Sequence, residues 1–201
     1  MMNIAVFASG RGSNFAAIVR AVKKGTLKAN IALLVCDQPQ AKVIRKAKRY
    51  AIPVFLIKRE NFPTREDFEK RILQELKKYS IDLIVLAGFM RLIGKVLLNQ
   101  YPGRILNIHP ALLPAFKGTY AIEDAFNYGV KVTGVTVHFV DDKMDHGPII
   151  LQEAIKIKET DTLETLEAKI HAVEHKLYPK AIQLFLENKL SILGRKVKIS
   201  N

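Results

Sequence analysis

The stretch RILNIHPALLPAFKG, residues 104–118, places an amide and an imidazole at the end of an apolar strand. Side chains two residues apart on a strand share a face, so we expect Asn107 and His109 to project together. Pro110 follows directly and has no backbone N–H for further pairing, which ends the strand there. The pattern indicates an active-site edge, although a histidine before proline is also compatible with a simple turn cap.

A second segment, VTGVTVHFVDDKMDHGPIILQ, supplies the carboxylate that such an imidazole needs. It predicts a strand over 132–140 and an acidic loop that contains Asp145. A carboxylate beside an imidazole fixes the orientation of the ring and raises its pKa, so we expect His109 to act as an imidazolium near neutral pH. Thr136 and His138 are two residues apart on this strand, and they either hold Asp145 or a water in place or are simply packed strand residues.

The segment SGRGSN, residues 9–14, follows a predicted strand and opens a predicted helix. Glycines and free backbone N–H groups at a helix N-terminus suit a phosphate. The dinucleotide-binding fingerprint is incomplete, because Phe15 occupies its third glycine position, and the GK[ST] ending of a P-loop is absent. Asp37 sits where a ribose-binding acid would, which leaves a nicotinamide enzyme as an alternative, and a tight strand-to-helix turn with an Asn or Ser cap is another.

Four motifs together resemble the folate-dependent glycinamide ribonucleotide formyltransferases of purine synthesis, over nearly the full length of the chain. They are SGRGSN at 9–14, LAGFMRLI at 86–93, LNIHPALLPAFKG at 106–118 and VTVHFVDDKMDHGPIILQ at 135–152. The resemblance implies transfer of a formyl group from 10-formyltetrahydrofolate to the amine of 5-phosphoribosylglycinamide. It implies direct attack by the amine, a tetrahedral intermediate and no metal.

The resemblance also implies roles for individual residues. The catalytic set is Asn107, His109 and Asp145, with Asn107 as the donor to the oxyanion. The phosphate of the ribonucleotide is assigned to Gly12, Ser13 and Asn14. His171 and Glu174 are placed beside the ribose and the glycinamide amine, whereas the polar face that they form with His175 and Tyr178 on the last predicted helix is by default solvent-exposed.

The folate is assigned to two further segments and one arginine. The folate-binding residues are Arg65, Met90, Arg91, Leu92, Ile93, Asn107, Asp141, Asp142, Lys143, Met144 and Asp145. Within this set, the backbone of residues 90–93 and the loop 141–145 enclose the pterin, and Arg65 binds the anionic tail. Without the resemblance, residues 86–93 would be read as ordinary core packing and Arg65 as an exposed residue at a helix start.

Apolar runs at 3–8, 31–35, 53–57, 82–87 and 104–107 alternate with helical patterns at 14–24, 41–50, 64–79 and 91–99. Strands at 132–140 and 149–157 follow, and a last helix runs over 162–188 with Asp161 as its N-cap. Continuous apolar strands are typical of a parallel sheet covered on both faces. We expect an α/β, doubly wound, Rossmann-like and mostly parallel sheet with helices on both faces, in one domain over 1–201. Residues 1–100 form its phosphate-binding half and 101–201 its catalytic and folate-loop half.

Composition narrows the class of protein. The net charge of +13 comes from Lys and Arg residues that are not interleaved with aromatics, so we expect small-molecule substrates drawn to a basic surface and no nucleic acid. No apolar run is long enough to span a membrane and no basic leader precedes the first strand, so we expect a cytoplasmic protein. We expect it to be a monomer or a homodimer. Cys36, the single cysteine, is expected to be a buried small hydrophobe, and no Cys/His cluster has the spacing of a zinc site.

Three other functions remain open at this point. Relatives that hydrolyse formyl-tetrahydrofolate or formylate methionyl-tRNA share the Asn, His and Asp set, and we expect this chain to be too short for their additional domains. A nucleotide-binding module without catalytic activity would explain the basic charge and the glycine loop. It leaves Asn107, His109 and Asp145 without a role.

Overall fold

The computed structural model describes residues 1–200, which form two compact units, one of residues 1–106 and one from residue 107 onward. The first unit alternates strands and helices. Its elements are β1 Met2–Phe7, α1 Ser13–Lys23, β2 Ala29–Cys36, α2 Lys42–Arg49, β3 Val54–Leu56, a 3₁₀ turn Arg59–Asn61, α3 Arg65–Lys78, β4 Leu83–Leu86 and α4 Lys95–Gln100. Strand β5, Ile105–His109, begins in this unit and ends in the next.

The strands of the first unit pair in parallel, in the order β3-β2-β1-β4. The central residues of β1, β2 and β4 are mostly buried, as in the run Ile4–Phe7, which is fully inaccessible to solvent. This explains why these strands are continuously apolar rather than alternating. Cys36, at the end of β2, is buried as predicted, and burial raises the pKa of its thiol.

The second unit is built around an antiparallel hairpin. It contains the end of β5, then α5 Ala121–Tyr128, β6 Val132–Phe139, β7 Ile149–Lys156, α6 Leu163–Leu186, β8 Leu190–Leu193 and β9 Lys196–Ile199. β6 pairs antiparallel with β7, and the loop 140–148 joins them. α6 packs on both of these strands. β9 pairs in parallel with β7 through Lys196 and Ile149, and antiparallel with β8.

The structure corrects two predicted helix boundaries. α4 begins at Lys95 and not at residue 91. The N–H of Gly94, which a helix from residue 91 would bond to the carbonyl of residue 90, instead donates to Glu69 Oε1. The N-cap of α6 is Thr162 and not Asp161; the side chains of Thr162 and Thr165 each accept from the other's backbone N–H.

Four elements, the 3₁₀ turn, α5, β8 and β9, were not predicted. Most side chains of β8 and β9 are exposed, so these strands lack the buried apolar run by which the other strands were predicted. Within the described part of the chain, no helix combines the length and the apolar character needed to cross a membrane.

Gly12, at the start of α1, is required by both its conformation and its surroundings. Its φ is +67°, and a Cβ there would lie 2.5 Å from Val43 Cγ2. We predict that Gly12→Ala lowers the free energy of unfolding by about 1–3 kcal/mol, through strain and overpacking. Urea denaturation measures the change.

The matched control for this prediction is Gly10→Ala, in the same loop. No described atom lies within 4 Å of a Cβ at Gly10, and its φ is not positive. This control is therefore expected to leave stability within about 0.5 kcal/mol of the parent. Equal effects of the two substitutions would show that Gly12 is not specially constrained.

Candidate active site

The structure brings Asn107, His109 and Asp145 together in the second unit. Asn107 and His109 lie on β5, two residues apart, and Asp145 lies in the loop between β6 and β7. Asp145 Oδ1 is 3.4 Å from Asn107 Nδ2, and Asp145 Oδ2 is 3.4 Å from His109 Nδ1. One carboxylate thus contacts both residues, with a different oxygen for each.

His138 fixes the orientation of the Asn107 amide. The Nδ1–H of His138 donates to the carbonyl of Phe139 at 2.7 Å, which leaves Nε2 as an acceptor in the neutral ring. Asn107 Nδ2 lies 3.1 Å from this nitrogen and donates to it. The amide therefore presents its NH₂ group, and not its oxygen, toward His138 and Asp145.

His109 is buried, with 3% of its surface exposed, and both ring nitrogens face oxygen atoms. Nε2–H donates to the carbonyl of Phe116 at 2.7 Å, and Nδ1 faces Asp145. Burial lowers the pKa of His109 below 6.5, and this effect exceeds the opposing attraction of Asp145, the Phe116 carbonyl and Glu174. The expectation of a raised pKa was therefore wrong, because it considered the carboxylate and not the burial.

Asp145 is held in place by the backbone around it. Its carboxylate accepts from the N–H of Gly118 at 2.8 Å, and its own φ is +47°, in the left-handed region. Burial opposes ionisation of this carboxyl. Interactions with His138, the Gly118 N–H and His109 outweigh that effect and lower the pKa of Asp145 below 3.8. The site therefore contains a carboxylate at neutral pH.

Thr136 does not share this role. Its buried hydroxyl donates to the carbonyl of Ala111 at 2.7 Å and accepts from the N–H of Leu113 at 3.1 Å and from Gln152 Nε2 at 3.0 Å. The interpretation that Thr136 holds Asp145 or a catalytic water is thus wrong. Its hydroxyl instead fastens the chain that follows β5 onto β6, whereas His138 does contact the catalytic groups.

The polar face of α6 is largely buried, contrary to the default expectation of solvent exposure. Glu174 is 4% exposed and Tyr178 is fully buried. His171 Nδ1 lies 2.9 Å from Glu174 Oε2, and the rings of His171 and His175 stack with centroids 6.3 Å apart. Glu174 is also among the groups that oppose the lowering of the pKa of His109.

In the first unit, the loop of residues 9–14 is a candidate binding site for an anion, and positively charged side chains surround it. Gly12, in the left-handed conformation, precedes α1, and its carbonyl accepts from Lys46 Nζ at 3.2 Å. The pKa of Lys46 is lowered by burial and by the neighbouring charges of Arg20, Lys42 and Arg11. A phosphate would relieve this mutual repulsion. Lys46 has no motif of its own, so only the fold reveals it.

The predicted folate-binding residues of the first unit lie at the start of α3 and in the segment that precedes α4. Arg65 is the first residue of α3, and its Nε lies 3.3 Å from Glu69 Oε1. The same oxygen of Glu69, a buried residue, accepts from the N–H of Gly94 at 2.5 Å. Met90 and Leu92 are exposed apolar residues, and Ile93 is buried. Glu69 was missed from the sequence because a glutamate within a charged helix resembles a surface residue.

Asp37, considered as a ribose-binding acid, is instead paired with an arginine. Its Oδ2 lies 2.9 Å from Arg91 Nε. The loop residues Asp141, Asp142, Lys143 and Met144 lie beside Asp145 in the chain, and Asp141 Oδ1 accepts from the N–H of Lys143 at 3.0 Å. Among residues 1–200, no group of three or more His, Cys, Asp or Glu side chains is arranged to hold a metal ion.

The chain is similar to known proteins in both sequence and fold. Residues 2–182 match the formyl transferase family. The phosphoribosylglycinamide formyltransferase of Bacillus subtilis is 54% identical over 186 residues, which cover 92% of this chain and 95% of that protein. Glycinamide ribonucleotide transformylase 1 from Symbiobacterium toebii superposes with a TM-score of 0.97 at 42% identity, over 100% of this chain and 95% of that one.

A second solved structure is also similar to this chain in sequence and fold. Glycinamide ribonucleotide transformylase 1 from Geobacillus kaustophilus gives a TM-score of 0.90 at 53% identity, over 92% of this chain and 99% of that one. These likenesses confirm the predicted α/β class, with a mostly parallel sheet flanked by helices.

The electrostatics of the site predict how His109 titrates. We expect its pKa in the folded protein to lie below 6.5 and to fall further in Asp145→Asn, because the substitution removes a charge that raises it. NMR titration of the ring protons measures both values.

The lowered pKa of His109 also makes the stability of the fold depend on pH. Since the unfolded chain binds the His109 proton more tightly than the folded protein, the neutral ring stabilises the fold above pH 6.5. This contribution is lost as the pH falls through the pKa of the folded protein.

Asp141→Asn is the matched control for this titration. Asp141 contacts His146 at 2.7 Å, and it is not among the groups that shift the pKa of His109. The control should leave the titration of His109 unchanged. A rise in the pKa of His109 on removal of the Asp145 charge would contradict the described geometry.

Proposed function

The chain belongs to the formyl transferase family, and we propose that it transfers the formyl group of 10-formyltetrahydrofolate to the primary amine of 5-phosphoribosylglycinamide. The chain is a formyltransferase enzyme, and its relatives named above are phosphoribosylglycinamide formyltransferases, which act in purine biosynthesis. The family uses a formyl-folate as co-substrate. The observation that carries the proposal is the single carboxylate of Asp145 between Asn107 and His109.

Asn107 is proposed to stabilise the oxyanion. Attack of the amine on the formyl carbon turns the carbonyl oxygen into an alkoxide in a tetrahedral intermediate. The Asn107 amide is already oriented with its NH₂ group toward the site, because His138 accepts one of its protons. The other proton faces Asp145 Oδ1 at 3.4 Å, a long contact, and is the one proposed to pass to the oxyanion. A donor fixed before the reaction needs little reorganisation, and one such donor is typically worth about a hundredfold to a thousandfold in rate.

His109 is proposed to move the proton that the reaction must transfer. The attacking amine loses a proton, and the folate nitrogen gains one as its bond to the formyl carbon breaks. Because the lowered pKa favours the neutral ring, and Nε2–H is bonded to the Phe116 carbonyl, the Nδ1 lone pair beside Asp145 is proposed to accept the amine's proton and then deliver it to the leaving nitrogen. Asp145 stabilises the imidazolium formed in between and relays protons through water.

The proposal assigns further residues to the other parts of the two substrates. Phosphate binding is assigned to Gly12, Ser13 and Asn14, with support from the surrounding cations. The ribose and the glycinamide amine are assigned to His171 and Glu174, with support from the burial of Glu174. The pterin is assigned to the backbone of residues 90–93 and to the loop 141–145, and the anionic tail to Arg65.

A cytoplasmic location is part of the same proposal. Its support is that Cys36 is the single cysteine of this sequence, so no disulfide can form within it, and that Cys36 is buried as a free thiol. The substrates are small molecules, and the proposal needs no nucleic acid, membrane or metal.

The proposal is tested by incubating the purified protein with 10-formyltetrahydrofolate, with and without 5-phosphoribosylglycinamide, and following deformylation of the folate. We expect deformylation only when the ribonucleotide is present, together with stoichiometric formylation of its amine. Equal deformylation in both reactions would assign the chain to the formyl-folate hydrolases instead. Absence of deformylation in both would favour a binding module.

Two variants test the assigned chemistry. Asn107→Ala should lose about a hundredfold to a thousandfold in kcat, and Asp145→Ala about a hundredfold to ten thousandfold, because each removes an interaction of the transition state. Both should retain ligand binding by calorimetry. Asn127→Ala and Asp124→Ala, which replace the same residue types on the exposed face of α5, are the matched controls. Parental turnover in the first pair would remove these residues from the mechanism.

A further inference from the structure

Arg195, in the turn between β8 and β9, binds the loop that contains Asp145. Arg195 Nη2 donates to the backbone carbonyl of His146 at 2.7 Å. Arg195 Nη1 lies 3.1 Å from Nε2 of the same histidine. His146 is the residue directly after Asp145, so this guanidinium binds the chain one residue from the catalytic group.

The contact continues from His146 into the loop. His146 Nδ1 lies 2.7 Å from Asp141 Oδ2 and donates to it, which makes Nε2 the acceptor for Arg195. The other oxygen of Asp141 accepts from the N–H of Lys143 at 3.0 Å. A chain of hydrogen bonds therefore runs from the β8–β9 turn through the histidine ring to the first acidic residue of the loop 140–148.

The backbone brings the arginine to this position. Lys196, directly after Arg195, pairs with Ile149 at the start of β7, the strand into which the loop leads. The strands β8 and β9 lie beyond residue 182, where the match to the family ends. The loop is thus fastened at its far end by an element outside the matched region.

We propose that Arg195 is a positioning residue that holds the loop 140–148, and through it Asp145, in its active arrangement. The proposal rests on the proposed function for its kinetic consequence. Arg195 itself touches no reacting group: it acts through the carbonyl and the ring of His146. Because the contact is exposed to solvent, it adds little to global stability and its effect is confined to the loop.

The geometry requires an arginine and not merely a positive charge. The guanidinium uses two different nitrogens for two acceptors of one residue, and a lysine ammonium cannot reproduce that fork. If Arg195 only attracted anionic substrates, Lys would replace it fully. The comparison of Arg195→Ala with Arg195→Lys therefore separates positioning from attraction.

The experiment measures amide hydrogen exchange and steady-state kinetics on the full-length chain. In Arg195→Ala we expect about tenfold faster exchange in the peptide 140–148 and about tenfold lower kcat/KM for 10-formyltetrahydrofolate, mainly through kcat because Asp145 is displaced, with the KM for 5-phosphoribosylglycinamide unchanged. Arg195→Lys should recover less than half of either loss. The midpoint of thermal unfolding should stay within about 2 °C of the parent.

Lys198→Ala is the matched control, since it removes one exposed positive charge from β9 of the same hairpin. It should leave exchange, kcat and both KM values at parental levels. The proposal is overturned if Arg195→Ala behaves like this control, or if Arg195→Lys restores both quantities fully. Should the wild-type protein fail to formylate the ribonucleotide, the exchange measurement still decides whether Arg195 holds the loop.

Discussion

The site depends on the position of one carboxylate, that of Asp145. It accepts from the Gly118 N–H at 2.8 Å and presents one oxygen to Asn107 and the other to His109. A charge in so enclosed a place is costly unless hydrogen bonds and cations compensate it. The Gly118 N–H and the Asn107 amide supply hydrogen bonds to it, and the pKa of Asp145 lies below its usual value. The proposed proton transfer by His109 needs this charge close by.

The fold maintains that position from several directions. β5 ends at His109, and the Thr136 hydroxyl fastens the chain after it by accepting from the Leu113 N–H and donating to the Ala111 carbonyl. The same chain then supplies the Phe116 carbonyl for His109 and the Gly118 N–H for Asp145. The backbone of one loop thereby orients both His109 and Asp145, so small shifts of this loop are expected to change the chemistry.

Local rules predicted the parts of the site that lie within one element. The two-residue period of a strand was enough to predict that Asn107 and His109 share a face, and continuous apolar runs were enough to predict parallel strands. The protonation of His109 was not predictable in this way. Its pKa depends on burial by residues distant in the chain, and that burial outweighs the carboxylate that the sequence placed nearby.

Contacts between segments distant in the chain also explain the other differences between the predicted and the observed structure. Glu174 looked solvent-exposed because its helix face is polar, yet tertiary packing buries it. α4 starts late because Glu69, far away in sequence, binds the backbone N–H of Gly94 that an earlier helix would otherwise have used. Arg195 has no motif, and its importance follows only from the pairing of β9 with β7. Contacts between distant segments decide each of these cases.

The most direct test of the central claim is a crystal structure of the ternary complex with 5-phosphoribosylglycinamide and an unreactive analogue of 10-formyltetrahydrofolate. The account predicts that the oxygen equivalent to the formyl oxygen lies about 3 Å from Asn107 Nδ2, with the His109 ring and the Asp145 carboxylate on the amine side of the same carbon. A formyl carbon bound away from all three groups, with the loop 140–148 in its present position, would contradict it.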